Sequence, residues 1–192
     1  MPPRAGLDKA TVVQAAADLA NAEGVDRLSL GRLAERLGVR TPSLYNHIDG
    51  LPGLYRELSL LNVRTLGVRL GDAAIGRSGP EAVSAVAQEY RVYIKECHGQ
   101  YMASLRAART QAPVDAELQA AEDRVVEIGL AALASFELSD ENGLHAVRAL
   151  RSVVHGFTTL EVAGGFGLPL DCDESFRRLT AMLIAGLQQT AG

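Results

Sequence analysis

The stretch Leu33–Leu51, "LAERLGVRTPSLYNHIDGL", sets two short helical segments around a glycine and closes on an Asp-Gly turn. Leu33 and Leu37 are four apart, as are Leu44 and Ile48, so each segment has one apolar side. Ala34 is small enough for two helices to cross closely over it. Gly38 can take the left-handed conformation that a sharp turn between helices needs. Thr41-Pro42 predicts the restart, with threonine as N-cap and proline at the first helical position, and the helix ending near Ile48. With Val39, Leu44 and Ile48 turned inward, Arg40, Thr41, Ser43, Tyr45, Asn46 and His47 are left outward. The pattern is that of a helix-turn-helix. The amino end of its second helix normally meets base edges in the major groove, and Tyr and His there suit phosphate oxygens.

Outward from this stretch the chain reads as all-α, about nine helices, with no convincing strand alternation. Asp8 caps a first helix that Gly24 ends, and its apolar spacing makes it a lid over the small core. Ser29 caps the second. A long helix is expected from about Pro52 to Ala74, ahead of the break Gly76-Arg77-Ser78-Gly79-Pro80. Beyond it, helices are expected over about Pro80–Cys97, Gln100–Thr110, Val114–Phe136 and Ser139–Val162. Asp171 and Glu174 form a capping-box pattern for a last helix ending near Gln189. The expected organisation is a helix-turn-helix DNA-binding domain over 1–50, a connecting helix over 51–76 and a C-terminal helical bundle over 77–192.

The 192 residues are 47% apolar, poor in aromatics and without Trp, which favours helices with an ample core. The net charge of −4 is unevenly spread. Residues 1–64 carry eight Lys and Arg against seven Asp and Glu, and the remainder carries eleven against sixteen. A basic surface near Arg27, Arg32, Arg36 and Arg40 is therefore compatible with an acidic total. Cys97 and Cys172 make no disulfide framework. The start of the chain has no apolar leader, and no apolar run is long enough to cross a bilayer, so a cytoplasmic protein is expected. No cofactor or metal-ligand motif stands out. Cys97 and His98 are adjacent rather than spaced for chelation, and helix capping accounts for the acids around Cys172.

Residues 8–64 resemble the DNA-binding domain of TetR-family transcriptional regulators. The resemblance runs through Glu23-Gly24, Leu28-Ser29-Leu30, Leu33 to Val39, Ser43 to Ile48, and Leu51 with Leu54. It departs at Leu51, where the family often has a phosphate-binding lysine. Residues from about 80 to 190 resemble the WHG-type C-terminal domain of such regulators, through His155-Gly156-Phe157, Leu160-Glu161, Gly164 to Gly167 and Asp173 to Phe176. Arg151 stands about where the naming tryptophan is expected.

The resemblance implies a homodimeric DNA-binding regulator, most often a repressor, released from a near-palindromic operator by a small-molecule effector. The DNA-binding candidates are Ser29, Arg40, Thr41, Pro42, Ser43, Tyr45, Asn46 and His47. Ligand-pocket candidates are Tyr93, His98, Tyr101, Met102, Arg106, Phe136, His155 and Phe157, with Tyr90 and Glu161 further possibilities. Packing of the last two helices would draw on Val153, Phe157, Leu160, Phe176, Leu179 and Leu183. Two rivals belong to other classes. One is a helical interaction protein with a weakened DNA head, motivated by Leu51. The other is an enzyme built on Ser152, His155 and Glu161, although no nucleophile elbow, phosphate loop or metal motif accompanies them.

Overall fold

The structure is a computed structural model and describes residues 7–107 and 115–190. Among these residues there are nine α-helices, two 3-10 turns and no strand. The helices are α1 (Lys9–Glu23), α2 (Leu30–Leu37), α3 (Thr41–Leu44), α4 (Gly50–Ala74), α5 (Gly79–Glu96), α6 (His98–Ala107), α7 (Ala116–Leu133), α8 (Asp140–Val162) and α9 (Cys172–Thr190). The expected helix end near Thr110, break at Pro113 and helix start near Val114 lie outside the described residues.

The chain divides into two compact units, Met1–Asn62 with Cys97–Leu118, and Val63–Glu96 with Gln119–Gly192. This differs from boundaries drawn at 50 and 76. The cut falls inside α4, and α6 returns to the first unit although it follows α5 in sequence.

In the first unit, Asp8 Oδ1 accepts the Thr11 N–H at 2.7 Å to cap α1, and Ser29 Oγ accepts the Arg32 N–H at 3.3 Å to cap α2. Val12, Ala16, Leu33, Leu44, Leu54 and Leu58 are fully buried in one core with Ala103 of α6. α6 is admitted to that core by Gly99. A Cβ there would stand 1.8 Å from the Ala20 carbonyl oxygen, so only glycine permits the approach of the two backbones. The Gln100 N–H then reaches Asn21 Oδ1 at 2.8 Å, and Arg106 pairs with Asp26. Arg56 of α4 binds Asp115 at 2.5 Å and Glu117 at 2.7 Å. The Asp115 carboxyl is held down to about 2, first by that guanidinium.

In the second unit, α5 buries Val83, Val86, Tyr90, Tyr93 and Ile94. It packs against α8 and α9, which contribute Leu150, Val154, Phe157, Phe176, Ile184 and Leu187. Ser139 caps α8 through the Asn142 N–H at 3.4 Å. The capping box expected for α9 forms on one side only. Asp171 accepts the Asp173 N–H at 2.7 Å, but Glu174 turns away to hold Arg177 and Arg178, both at 2.7 Å. Two guanidinium partners outcompete the single backbone donor.

Gly99→Ala should destabilise the protein by about 2 kcal/mol or more, since backbone cannot yield as a side chain does. Gly31→Ala, on an exposed helical position with nothing within 4 Å of the new methyl, should instead stabilise by about 0.5–1 kcal/mol. Urea unfolding of both variants checks the contrast.

Candidate nucleic-acid interface

Gly38 stands at φ 66° and closes α2, its N–H and that of Val39 bonding back to Glu35 and Ala34 at 3.1 and 3.0 Å. That pair of bonds is a Schellman stop. It hands the chain to Arg40 in an extended conformation, so Arg40, not Thr41, is the N-cap of α3. Thr41 is already helical and Pro42 lies one position further in. The α-helix is also shorter than expected: it ends at Leu44, and 45–47 continue as tight turns. His47 and Ile48 N–H groups both return to the Leu44 carbonyl, at 2.9 and 3.0 Å.

The turns keep Leu44 and Ile48 buried while the other side chains form one outer surface. Arg40, Pro42 and Asn46 are exposed, Tyr45 is 59% exposed, and Thr41, Ser43 and His47 are half-buried. The Tyr45 ring runs beside Gly50, the first residue of α4. The Asp8 carboxylate is held below its usual range first by the Thr11 N–H, and to a smaller degree by the nearby His47. Ser29 is half-buried, and its hydroxyl oxygen is engaged in capping α2. Of the four expected surface arginines, Arg32 pairs with Glu23. Arg27, Arg36 and Arg40 are exposed. Leu51 packs against the core of the first unit.

The pocket candidates fall in both units. Tyr101, Met102, His98 and Arg106 belong to α6 in the first unit, while Tyr93, Phe136, His155 and Phe157 belong to the second. Tyr101 is buried at the α6 contact. His98 Nδ1 is buried without a hydrogen-bond partner, and burial lowers the ring's pKa. Arg106 is exposed and committed to Asp26. Tyr93 is buried beneath the Arg69 guanidinium, which stands 5.4 Å from the ring centre. Only Phe136 among these lines the described cleft, an open depression of about 200 Å³ shared with Pro80, Ser135, Glu137 and Gln188.

The expected dimer contacts separate as well. Phe157 and Phe176 are buried inside their own unit. Val153, Leu179 and Leu183 are half-buried, and Leu160 is exposed. The two phenylalanines are drawn inward by Arg91, a fully buried residue that sequence reasoning passed over. Its guanidinium lies 5.6 and 5.0 Å from their ring centres. It binds both Glu161 oxygens at 2.8 and 2.6 Å and Asp173 at 2.8 Å. Lys95 adds a further contact to Glu161 at 2.7 Å. The signal was a single arginine inside the apolar run of α5.

Ser152, His155 and Glu161 each have a contact outside the trio. Ser152 donates to the Arg148 carbonyl at 2.8 Å, His155 Nδ1 lies 3.5 Å from Thr159 Oγ1, and Glu161 is engaged by Arg91. Among the described residues, no cluster of His, Cys, Asp and Glu could hold a metal, and no helix is long and apolar enough to cross a membrane.

A model of the "Tetracyclin repressor-like, C-terminal domain" family matches residues 83–183. An uncharacterized HTH-type transcriptional regulator of Bacillus subtilis (strain 168) is 34% identical over 190 residues, covering 97% of this chain and 96% of that protein. A second such uncharacterized regulator, from Mycobacterium tuberculosis, is 31% identical over 188 residues, covering 96% of this chain and 84% of its own. A solved protein of unknown function from Rhodococcus sp. RHA1 shares the fold, with a TM-score of 0.80 at 19% identity over 98% of this chain and 100% of that one.

Arg91 holds the Glu161 carboxyl below its usual range, the attraction outweighing desolvation. A carboxylate with a lowered folded pKa stabilises the protein at neutral pH, and that stabilisation is lost as pH falls through the folded value. Glu161→Gln should cost about 1.5–3 kcal/mol at neutral pH, because the buried Arg91 keeps its charge with Asp173 as its remaining carboxylate partner. The deficit should shrink as pH drops below the ordinary carboxylate range. Thermal melts of both proteins from pH 7 to pH 3 check this.

Proposed function

This chain belongs to the TetR family of helix-turn-helix transcriptional regulators, and we propose that it acts as a homodimeric repressor that a small-molecule effector releases from a near-palindromic operator. The observation that carries the reading is the outer surface from Arg40 to His47, whose polar side chains surround a buried Leu44–Ile48 pair. Arg40, Thr41 and Ser43, at the start of α3, would meet base edges. Tyr45, Asn46 and His47 would meet phosphates, Tyr45 next to the amino end of α4, whose N–H groups also favour an anion. Pro42 would contribute van der Waals contact. Ser29, with its oxygen committed to a cap, would serve by fixing α2.

A dimer follows from DNA geometry: two recognition segments must reach major grooves about one helical turn apart. We assign the contact to the outer faces of α8 and α9, where Leu160 and Met182 are exposed, rather than to Phe157 and Phe176. An effector would act by preferring one of two states of the dimer, and could shift the equilibrium by no more than that preference. The cleft beside Phe136 is one candidate for its seat. TetR-family regulators typically bind DNA, dimerise and respond to small ligands, and a cytoplasmic location accords with that role.

The test is fluorescence anisotropy on DNA from upstream of the protein's own gene. Tyr45→Phe combined with His47→Ala should weaken binding on the order of 100-fold, taking about 1.5 kcal/mol for each hydrogen bond to a charged phosphate. The loss should be similar across related sequences. The slope of log affinity against log salt should be modest, since Leu51 stands where the family often has a phosphate-binding lysine. Unchanged affinity in the double variant would remove this surface as the reader and favour a helical interaction protein.

A further inference from the structure

Nine consecutive residues from the last residue of α8 toward α9, Val162–Leu170 (VAGGFGLPL), carry neither a charged nor a hydrogen-bonding side chain. All nine are exposed, and Leu168 and Leu170 are 73% and 68% exposed. The segment is nevertheless built. The Gly164 N–H donates to the Glu161 carbonyl at 3.0 Å, Gly165 to Leu160 at 2.7 Å and Leu170 to Leu168 at 2.8 Å. The Phe166 ring packs on that of Phe157 with centres 4.8 Å apart. Arg91 binds Glu161 just before the segment and Asp173 just after it. One buried guanidinium thus clamps both ends of the loop, and the two leucines are what the loop presents.

The same unit has a second uncovered apolar surface. Ala181, Met182, Ala185 and Gly186 lie outward on α9, opposite the buried Phe176, Thr180, Ile184 and Leu187. Met182 is 68% exposed. The cations nearest in sequence, Arg177 and Arg178, are both bound to Glu174. Neither surface therefore offers the free basic cluster that an anionic lipid surface or a nucleic acid would need. What fits an uncharged, preformed apolar loop is another apolar protein surface.

We propose that the Phe166–Leu170 loop docks on the outer face of α9 of a second copy of this chain, each copy covering the other's two apolar surfaces about a twofold axis. The proposal rests on the dimeric reading above and adds the loop to a contact otherwise made by helices alone. A twofold contact requires each copy to carry both halves of the match, and this unit does. The loop also runs directly into α9, so its surface continues the helix face already assigned to the dimer. Because Arg91 fixes the loop before the partner arrives, little ordering entropy is lost on docking.

The test is sedimentation equilibrium on the full chain carrying Leu168→Ser and Leu170→Ser. The dimer dissociation constant should rise on the order of tenfold or more, with circular dichroism unchanged because both side chains are outside the core. A dissociation constant within about twofold of the unaltered chain overturns the proposal while leaving a helix-only dimer standing. If the double variant misfolds, Leu168→Ser alone serves, read against the same limit. A cycle combining Leu168→Ser with Met182→Ser separates contact from mere loss of apolar surface: the two effects should be less than additive, and strict additivity counts against docking. A monomeric unaltered chain would remove the dimer reading together with the loop.

Discussion

How closely α6 can approach α1 is the constraint on which the first unit depends. At Gly99 the two backbones come so near that a single methyl group would overlap the Ala20 carbonyl. Once that approach is allowed, Ala103 enters the core shared by Leu33, Leu44 and Leu54. Gln100 and Arg106 then add polar ties to Asn21 and Asp26. The surface from Arg40 to His47 is too short to hold itself in place, being one turn of α-helix and three turn residues. Its geometry is inherited from Leu44 and Ile48, and theirs from the core that α6 completes.

A comparable role in the second unit falls to Arg91. Removing an arginine from water is costly unless its charge is paired and its donors satisfied. Glu161, Asp173 and two aromatic rings meet that requirement, and in doing so they determine where α8 ends and α9 begins. The interior position of Phe157 and Phe176 is a consequence. So is an apolar loop held in a defined shape at the surface.

The local elements were legible in the sequence because their signals are local. Asp8, Ser29, Ser139 and Gly38 each act within a few residues, and each does in the structure what its position implied. The family and the helix-turn-helix were legible for the same reason. What escaped depends on contacts distant in the chain. Gly99 meets Ala20 across 79 residues' worth of chain, the same span as the Gln100–Asn21 bond. Arg91 meets Glu161 70 residues on. A tyrosine in an apolar helix looks alike in the sequence whether it lines a cavity or fills a core, and Tyr101 is buried. Leu51 carries no charge at the start of α4, and its partial burial against the first unit's core was likewise not visible in the sequence.

A two-headed reader is recognised by how it occupies DNA. Hydroxyl-radical footprinting on the segment upstream of its own gene should give two protected patches about one helical turn apart, related by the twofold symmetry of the operator. A single protected patch, or protection spread evenly without symmetry, would contradict a two-headed reader built on the Arg40–His47 surface.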